Sequence, residues 1–271
     1  MRRISSWSLA LVLVALCPVA SVRGAAPAPY RPDGDTVLLY HFNETNGVAA
    51  DASTNNYNGT VGSKVVRGTN GMAGFGTAYN FASNTAPNGV TTATIADGAV
   101  LSPFNLNRYT NGFTIEAWVH NVRTNGTGST RGGIASLGCG NSRQADLFVD
   151  IGKIQFYDSS GKLTPVSAVL SWDTNLWYHL AVVFSINGAN ATCTVYRTPA
   201  GTRIPVQVAQ QSTTTWGGFP TVVNSYFWMF GCGYGDANRS LGGDMDEVRF
   251  SGVPRTKFDT LSMRGVIIGV H

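Results

Sequence analysis

Hydrophobic and polar residues alternate in short runs along most of this chain from Thr36 onwards. The clearest alternation spans Phe113 to His120. Its two sets of alternate positions are Phe113, Ile115, Ala117 and Val119, and Thr114, Glu116, Trp118 and His120. Because successive side chains of a strand point to opposite faces, this run predicts a β-strand with one apolar face. The run from Trp177 to Phe184 is apolar on both faces, which predicts a central strand.

Further runs of this kind follow one another at short spacing, with turn residues about every 8–12 positions. They cover residues 36–42, 59–67, 77–81, 90–95, 134–137, 146–150, 153–157, 191–197, 203–208, 226–230 and 243–250. Only Pro254 to Met263 has helical character, with Pro254 near a first helical position. A dozen or so short strands without alternating helices predict an all-β sandwich or barrel.

The N-terminal segment differs from the rest of the chain. Arg2 and Arg3 precede a short apolar run, and small residues follow as far as Gly24 and Ala25. This is the layout of a secretory signal peptide, so residues 1–24 are predicted to be removed. The apolar run is too short for a membrane span of about 20 residues. The mature chain is expected to be secreted, or to lie at the cell surface or in the periplasm.

Charge and composition narrow the class of partner. Removing the three arginines of the signal segment from the formal net charge of +4 leaves about +1. No basic patch of the kind that binds nucleic acid is visible, so a nucleic-acid partner is not expected. The low charged fraction of 13% and the 32 glycines are typical of an extracellular β-protein with many turns.

Three cysteines lie beyond the signal segment. Cys139 and Cys232 share a local sequence, Leu-Gly-Cys-Gly and Phe-Gly-Cys-Gly, each after an apolar run. If those runs are neighbouring strands whose ends meet, the two cysteines form a disulfide. Cys193 is expected to be a buried small hydrophobic residue. No pair of Cys or His residues has the spacing of a zinc site.

Four segments together resemble the laminin-G-like jelly roll of the concanavalin A-like lectin and glucanase superfamily. They are Leu38–Glu44 with Asp51–Ser53, Phe113–Val119, Trp177–Val183 and Gly242–Phe250. The resemblance implies a two-sheet antiparallel jelly-roll sandwich over residues 36–264, with an exposed lead-in at 25–35 and a tail at 265–271. It also implies an extracellular binding module for carbohydrate or protein, without fixing the ligand.

Catalysis is not expected. Glycoside hydrolases need two carboxyl groups facing one cleft. The enzymes of the resembled superfamily carry these groups on one strand as Glu-x-Asp-x-x-Glu, a pattern that this sequence lacks. The segment Asp244 to Glu247 comes closest, with Asp244 and Asp246 on one face and Glu247 on the other.

Several side chains are candidates for ligand binding. On the polar face of the 113–120 strand, Trp118 is placed to stack on a sugar and Glu116 to bond its hydroxyls. The alternative is that these side chains pack under a loop and satisfy buried backbone groups. His179 is predicted to be a core histidine. The remaining aromatic candidates for contact with sugar or protein are Trp172, Trp216, Phe219 and Tyr234, of which we select Trp216 and Tyr234.

Calcium is the candidate metal, since Ca²⁺ takes six to eight oxygen ligands. The loop that runs from 43 to 58 offers Asn43, Glu44, Asp51, Asn55 and Asn58. The first and last strands of a jelly roll commonly pair, which would bring Asp244 or Asp246 to this loop. The expected ligands are Asp51, Asp246, Asn58 and Asp244. The alternative is a turn that is held by its own hydrogen bonds.

Three functions are therefore considered. The first is a secreted, non-catalytic module that binds carbohydrate. The second is an extracellular adhesion or structural domain that binds protein. The third is a glycoside hydrolase or lyase of the same superfamily, which the missing carboxylate pattern disfavours.

Overall fold

Two antiparallel sheets pack face to face in the computed structural model of the protein. The structure describes residues 27–82, 90–92, 95–96, 103–127, 130–139, 142–221, 225–233 and 239–261. The predicted signal peptide at 1–24 and the predicted tail at 265–271 lie outside these residues. Of the regular elements that lie wholly within these ranges, all are strands except two 3₁₀ turns, Leu106–Arg108 and Asp259–Leu261. The all-β class predicted from the alternation and the two-sheet sandwich implied by the family resemblance are both confirmed.

The larger sheet has eight strands. They are β1 (Thr36–Tyr40), β3 (Val66–Asn70), β4 (Thr77–Asn80), β7 (Gly112–His120), β11 (Trp177–Asn187), β12 (Asn190–Pro199), β13 (Gln207–Thr213) and β16 (Asp244–Ser251). Seven lie in the order β13-β12-β11-β7-β16-β4-β3, and β1 also pairs with β16. The first and last long strands therefore pair directly, as expected for a jelly roll.

The smaller sheet has six strands, in the order β10-β9-β8-β15-β5-β2. They are β2 (Gly59–Val61), β5 (Val90–Thr92), β8 (Gly132–Cys139), β9 (Ser142–Asp150), β10 (Lys153–Asp158) and β15 (Trp228–Phe230). A separate pair joins β6 (Ile95–Ala96) to β14 (Ser225–Tyr226).

The main hydrophobic core lies between the two sheets. The alternating apolar face of β7 enters it from the larger sheet, and the smaller sheet contributes the alternate positions of β9 and β10. These core residues are Phe113, Ile115, Ala117, Val119, Ala145, Leu147, Val149, Ile154 and Phe156. Phe113 and Phe184 stack with ring centroids 5.2 Å apart. Burial of this apolar surface is the main force that holds the sheets together.

A second hydrophobic cluster covers the outer face of the larger sheet. Trp118, Ala181 and Leu39 supply its floor. Tyr30 from the N-terminal segment and Phe258 from the C-terminal segment lie over them. The Thr260 hydroxyl donates a hydrogen bond of 2.8 Å to the carbonyl of Ala28, which joins the two segments. We call the covering residues 28–33 and 253–261 the terminal clasp.

Some element boundaries differ from the predictions. The strand predicted at 203–208 begins only at Gln207 and runs to Thr213, and the run at 59–67 is divided into β2 and β3. The predicted helix at 254–263 is wrong: over its described part only Asp259–Leu261 forms a 3₁₀ turn. This segment packs into the clasp through Phe258 and Leu261, so tertiary contacts decide its conformation.

The predicted disulfide between Cys139 and Cys232 is also wrong. Strands β8 and β15 are indeed neighbours, but they are antiparallel, with Leu137 opposite Trp228 and Ala135 opposite Phe230. Cys232 consequently lies beside Gly133, at the other end of β8 from Cys139. Six residues of strand correspond to roughly 15–20 Å, whereas a disulfide needs Cα atoms within about 7 Å. Cys193 is buried and free, as predicted.

Among the described residues, no helix is both long and apolar enough to cross a membrane.

Candidate functional site

Glu116 lies at the centre of a buried charge cluster, not on a surface platform. Its carboxylate accepts hydrogen bonds from Arg249 Nε at 2.8 Å and pairs with Arg249 Nη2 at 2.7 Å. His179 Nε2 lies 3.3 Å from its other oxygen. Burial acts to raise the pKa of Glu116, but His179 and Arg249 outweigh it and lower the pKa below its ordinary value. Glu116 is therefore an ionised structural group.

Trp118 is fully buried beside this cluster. Its indole NH donates to the hydroxyl of Thr260 at 2.9 Å, and Phe75 packs edge-on against its ring. A ring without exposed surface cannot stack on a sugar. The ligand-binding hypothesis for Trp118 and Glu116 is wrong, because the terminal clasp covers the face that carries them. His179 is buried, as predicted for a core histidine.

Asp51 organises the turn in which calcium was expected. Its Oδ1 accepts hydrogen bonds from the amides of Leu39 and Ser53, both at 2.9 Å. Its Oδ2 accepts from the Ser53 hydroxyl at 2.7 Å and the Tyr57 amide at 2.8 Å. Asn58 Oδ1 in turn accepts from the Asp51 amide at 2.8 Å. Four donors match the four acceptor positions of a carboxylate, so the turn is held by its own hydrogen bonds.

The other two expected calcium ligands have separate roles. Asp244 accepts from Asn80 at 2.7 Å and faces His120 Nδ1 at 2.9 Å. Asp246 is completely buried, and burial raises its pKa to about 8. Its only described hydrogen bond to another segment, from the Met72 amide, measures 3.4 Å. In the described parts of the chain, no three His, Cys, Asp or Glu side chains gather as a metal site would require.

Trp216 lines a small pocket at one end of the sandwich. The pocket has a volume of about 370 Å³, and Tyr109 and Ile186 also line it. Most of the Trp216 ring, however, packs against Phe184 and Phe219 in the core. Tyr234, the remaining predicted contact, lies outside the described residues. Of the aromatic residues predicted to contact a ligand, Trp216 thus lines a pocket, but it does not offer an exposed ring on which a sugar could stack.

A second, more polar groove opens at the end of β9 where β9 and β10 join in a tight hairpin. It has a volume of about 370 Å³ and is lined by Asp150, Ile151, Lys153, Gln155, Val166 and Val169. We call it the Asp150 groove. Val166 lies next to Gln155 as an isolated antiparallel bridge partner, so the 166–169 segment forms one wall. Both sheet hydrogen bonding and loop packing thus fix the shape of the groove.

Asp150 supplies the polar centre of the groove. Its Oδ1 is buried and accepts no hydrogen bond from the described residues. Lys153 is directly opposite Asp150 across the hairpin and is exposed. A buried acceptor without a partner is rare in folded proteins, and this one belongs to a carboxylate that lines the groove.

The rim of the groove is apolar and includes a strained residue. Ile151 has φ +47° and is 58% exposed, and Val169 is 65% exposed. Together with Gly152 at φ +73°, Ile151 forms the two-residue turn of the hairpin. Positive φ is unfavourable for a β-branched residue, and such strain concentrates at functional sites. The turn therefore presents an aliphatic side chain to solvent at the expense of local stability.

An arginine lies beside the groove on the same outer face of the smaller sheet. Phe148 alternates with the core residues of β9 and is opposite Gln155. The Arg131 guanidinium lies 3.6 Å from the centroid of the Phe148 ring. Arg143 Nε is 2.9 Å from Asp146 Oδ2, whereas Arg131 Nη2 is 3.9 Å from the same atom. Burial raises the pKa of Asp146 despite these cations.

Comparison with known proteins identifies the family. The Laminin G 3 family, described as concanavalin A-like lectin/glucanases superfamily, matches residues 92–258. The chain belongs to this superfamily. The family resemblance is thereby confirmed, and the match includes three of the four segments, those at 113–119, 177–183 and 242–250. No curated protein sequence matches the chain.

Several solved structures are similar to this chain at low sequence identity. The binding domain of Paraclostridial Mosquitocidal Protein 1 has a TM-score of 0.56 and 15% identity, over 84% of this chain and 51% of that chain. Trypanosoma rangeli sialidase has a TM-score of 0.49 and 14% identity, over 85% and 32%. The Botulinum Neurotoxin Type G receptor binding domain has a TM-score of 0.48 and 12% identity, over 84% and 50%. This chain spans about half of the first structure, and the likeness establishes the fold.

Sequence reasoning missed the Asp150 groove of this concanavalin A-like domain. Asp150 and Lys153 were recognised only as the end of one strand and the start of the next. The available signal was Ile151-Gly152 between two strands, because a two-residue hairpin turn favours Asn, Asp or Gly at its first position. Isoleucine is unusual at this position, and in the structure Ile151 lies at the rim of the Asp150 groove.

Proposed function

We propose that this protein is a secreted, non-catalytic module that binds carbohydrate in the Asp150 groove. The observation that carries the proposal is the buried, unpartnered Oδ1 of Asp150 within an open groove of about 370 Å³. Secretion follows from the signal-peptide pattern of residues 1–24.

The groove has the mixture of groups that a sugar ring needs. Sugar hydroxyls donate hydrogen bonds, and a charged acceptor such as Asp150 makes the stronger ones. Gln155 adds an amide that both donates and accepts. Ile151, Val166 and Val169 offer aliphatic surface to the C–H groups of the ring. A concave, largely apolar site with a few placed polar groups is the usual form of a small-ligand site.

The arrangement of carboxylates favours binding over hydrolysis. Asp150 is the one carboxylate among the residues that line the groove. The next acid on its face, Asp146, is four residues away along β9, which corresponds to about 13 Å. Retaining and inverting glycosidases place their two carboxyl groups at most roughly 9.5 Å apart. This spacing supports a module that holds its ligand without cleaving it.

A glycan array on the mature protein tests the proposal, followed by affinity measurements on the best ligands. Replacing Asp150→Ala removes a charged acceptor and should weaken binding roughly 10- to 100-fold. The matched control is Asp35→Ala, an exposed aspartate in the turn before β1 of the larger sheet. Both variants should keep the melting temperature within a few degrees. Unchanged glycan affinity in Asp150→Ala would disprove the assignment of the groove.

Adhesion to protein is the second candidate, and the exposed aliphatic rim favours it. Val166 is 47% exposed and Val169 65%, and exposed apolar patches commonly mark interaction sites. A protein partner would depend on the rim more than on the Asp150 carboxylate. Loss of partner binding in Val169→Asp, with full binding in Asp150→Asn, would favour protein over carbohydrate.

A further inference from the structure

The Asp150 groove has a cationic flank whose chemistry narrows the ligand class. We infer that it binds a carboxylated sugar, with the ligand carboxylate paired to Arg131 and a neighbouring hydroxyl bonded to Asp150. This inference rests on the proposed carbohydrate function and deepens it.

Arg131 is held at a fixed place beside the groove. Its guanidinium carbon lies over the Phe148 ring, 3.6 Å from the ring centroid. Phe148 and Asp150 are alternate residues of β9 and so point to the same face, about 7 Å apart along the strand. A stacked guanidinium loses little further freedom when it binds, because its plane is already set. A ligand that reaches Asp150 therefore extends toward Arg131.

The charge of Arg131 is only partly offset by the nearby carboxylates of Asp146 and Asp150, which raise its pKa against the effect of burial. Its nearest carboxylate oxygen, Asp146 Oδ2, is 3.9 Å away and is already approached to 2.9 Å by Arg143. The Arg131 Nε is buried without a hydrogen-bond partner. Burial, reinforced by the nearby charge of Arg239, lowers the pKa of Arg131. These observations describe a cation that an incoming anion would stabilise.

Lys153 provides a second cation at the groove. It lines the groove, is exposed, and makes no ion pair within 4 Å of a described carboxylate. A ligand in the groove therefore meets the cations Arg131 and Lys153 beside the anion Asp150. A neutral sugar would leave Arg131 with only its 3.9 Å contact to Asp146 Oδ2. A sulfated polymer with several charges per sugar would be repelled by Asp150 more strongly than a polymer with one carboxylate per sugar. A planar carboxylate matches the edge of the stacked guanidinium in a two-pronged pair, and it leaves the hydroxyls of the same sugar for Asp150.

The decisive experiment compares polymers that differ only at the carboxyl group. Polygalacturonate, alginate and hyaluronan are each measured against the same polymer with its carboxyls methyl-esterified, and dextran sulfate against dextran. At least one acidic polymer should bind roughly tenfold tighter than its esterified form. Equal binding of both forms would overturn the inference and leave the proposed function standing. A preference for dextran sulfate alone would show general attraction of polyanions and would also overturn it. Binding to no glycan would refute both proposals.

Variants separate recognition from general charge. Arg131→Gln should lose the preference for the acidic polymer, roughly tenfold, while its affinity for the esterified form stays the same. Arg131→Lys keeps the charge without the planar fork and should recover only part of the loss. Lys64→Gln removes the same charge from an exposed loop and serves as the control. An equal loss in Lys64→Gln would overturn the assignment to Arg131. A circular dichroism melt of each variant shows whether the fold is intact.

Discussion

The two outer faces of the sandwich differ in what covers them. On the larger sheet, Glu116, Trp118 and His179 lie beneath the terminal clasp and have no exposed surface. On the smaller sheet, the Asp150 groove is open, with an exposed rim of Ile151 and Val169. The polar face of β7 was predicted to bind a ligand. In the structure the terminal clasp covers this face, and its residues form a second hydrophobic cluster. The position of the covering segments, and not the polarity of a strand, distinguishes a site from a structural cluster.

The covered face should be the more sensitive of the two to mutation. Glu116→Ala removes the carboxylate that pairs with Arg249 and leaves a buried, uncompensated guanidinium, which should reduce the free energy of unfolding by about 3–5 kcal/mol. Urea denaturation measures the change. Combining Glu116→Ala with Arg249→Met should restore part of the loss, since the orphaned charge is then removed. A single-variant loss below about 1 kcal/mol would show that the cluster contributes little.

A pH-dependent effect should come from Asp246, which lies on the same β16 strand as Arg249. Its folded pKa of about 8 exceeds the ordinary value of about 3.9, so between these values the folded state retains a proton that the unfolded chain releases. The stabilisation is then complete below about pH 4 and is lost as the pH rises to about 8, with a total on the order of 5 kcal/mol. Asp246→Asn should remove this decline. Denaturation curves at pH 4, 6 and 8, with Asp35→Asn as control, check it; parallel curves for both variants and the wild type would contradict it.

On the open face, Ile151 should show a smaller effect of opposite sign. Ile151→Asn replaces a β-branched residue at φ +47° with one that tolerates this conformation, and should raise the free energy of unfolding by about 0.5–1 kcal/mol. Glycan affinity should fall at the same time, because the rim loses aliphatic surface. Thermal melts and binding titrations on the same samples test both. A less stable variant would mean that the isoleucine packs more than its exposure indicates.

Calcium should have the smallest effect of all. The Asp51 carboxylate already accepts four hydrogen bonds. We therefore expect the melting temperature to be the same in millimolar calcium and in chelator. A calcium-dependent rise of several degrees, which ligand linkage would produce at a site on the folded protein, would restore the metal hypothesis for this turn.

Local sequence determines much of the fold, and its limits are specific. The alternation in β7 and the apolar run of β11 sufficed to predict both strands, since those signals depend only on neighbouring residues. The predicted disulfide between Cys139 and Cys232 failed for another reason. The sequences of β8 and β15 do not reveal that the two strands pair in antiparallel directions, which places the two cysteines at opposite ends of β8. The covering of Trp118 by Phe258 depends on contacts between residues far apart in sequence.

The candidate site was harder to predict than the fold. Nothing in the sequence next to Asp150 reveals that one of its oxygens is buried without a partner among the described residues, or that the 166–169 segment forms a wall of the same groove. The sequence likewise does not show that Arg131 is held beside the groove, because this position depends on its contact with Phe148 of the next strand. Sites of this kind are assembled by strand pairing and loop packing, and they are visible only in three dimensions.

The hydrogen bond from Thr260 to Ala28 has a practical consequence for how the domain is presented. The two chain segments that run toward the termini lie side by side on the larger sheet, on the far side of the sandwich from the Asp150 groove. A linker, an affinity tag or a supporting surface joined next to Ala28 or Thr260 would therefore lie behind the groove. A protein immobilised at those two positions would present the groove to long polymers in solution.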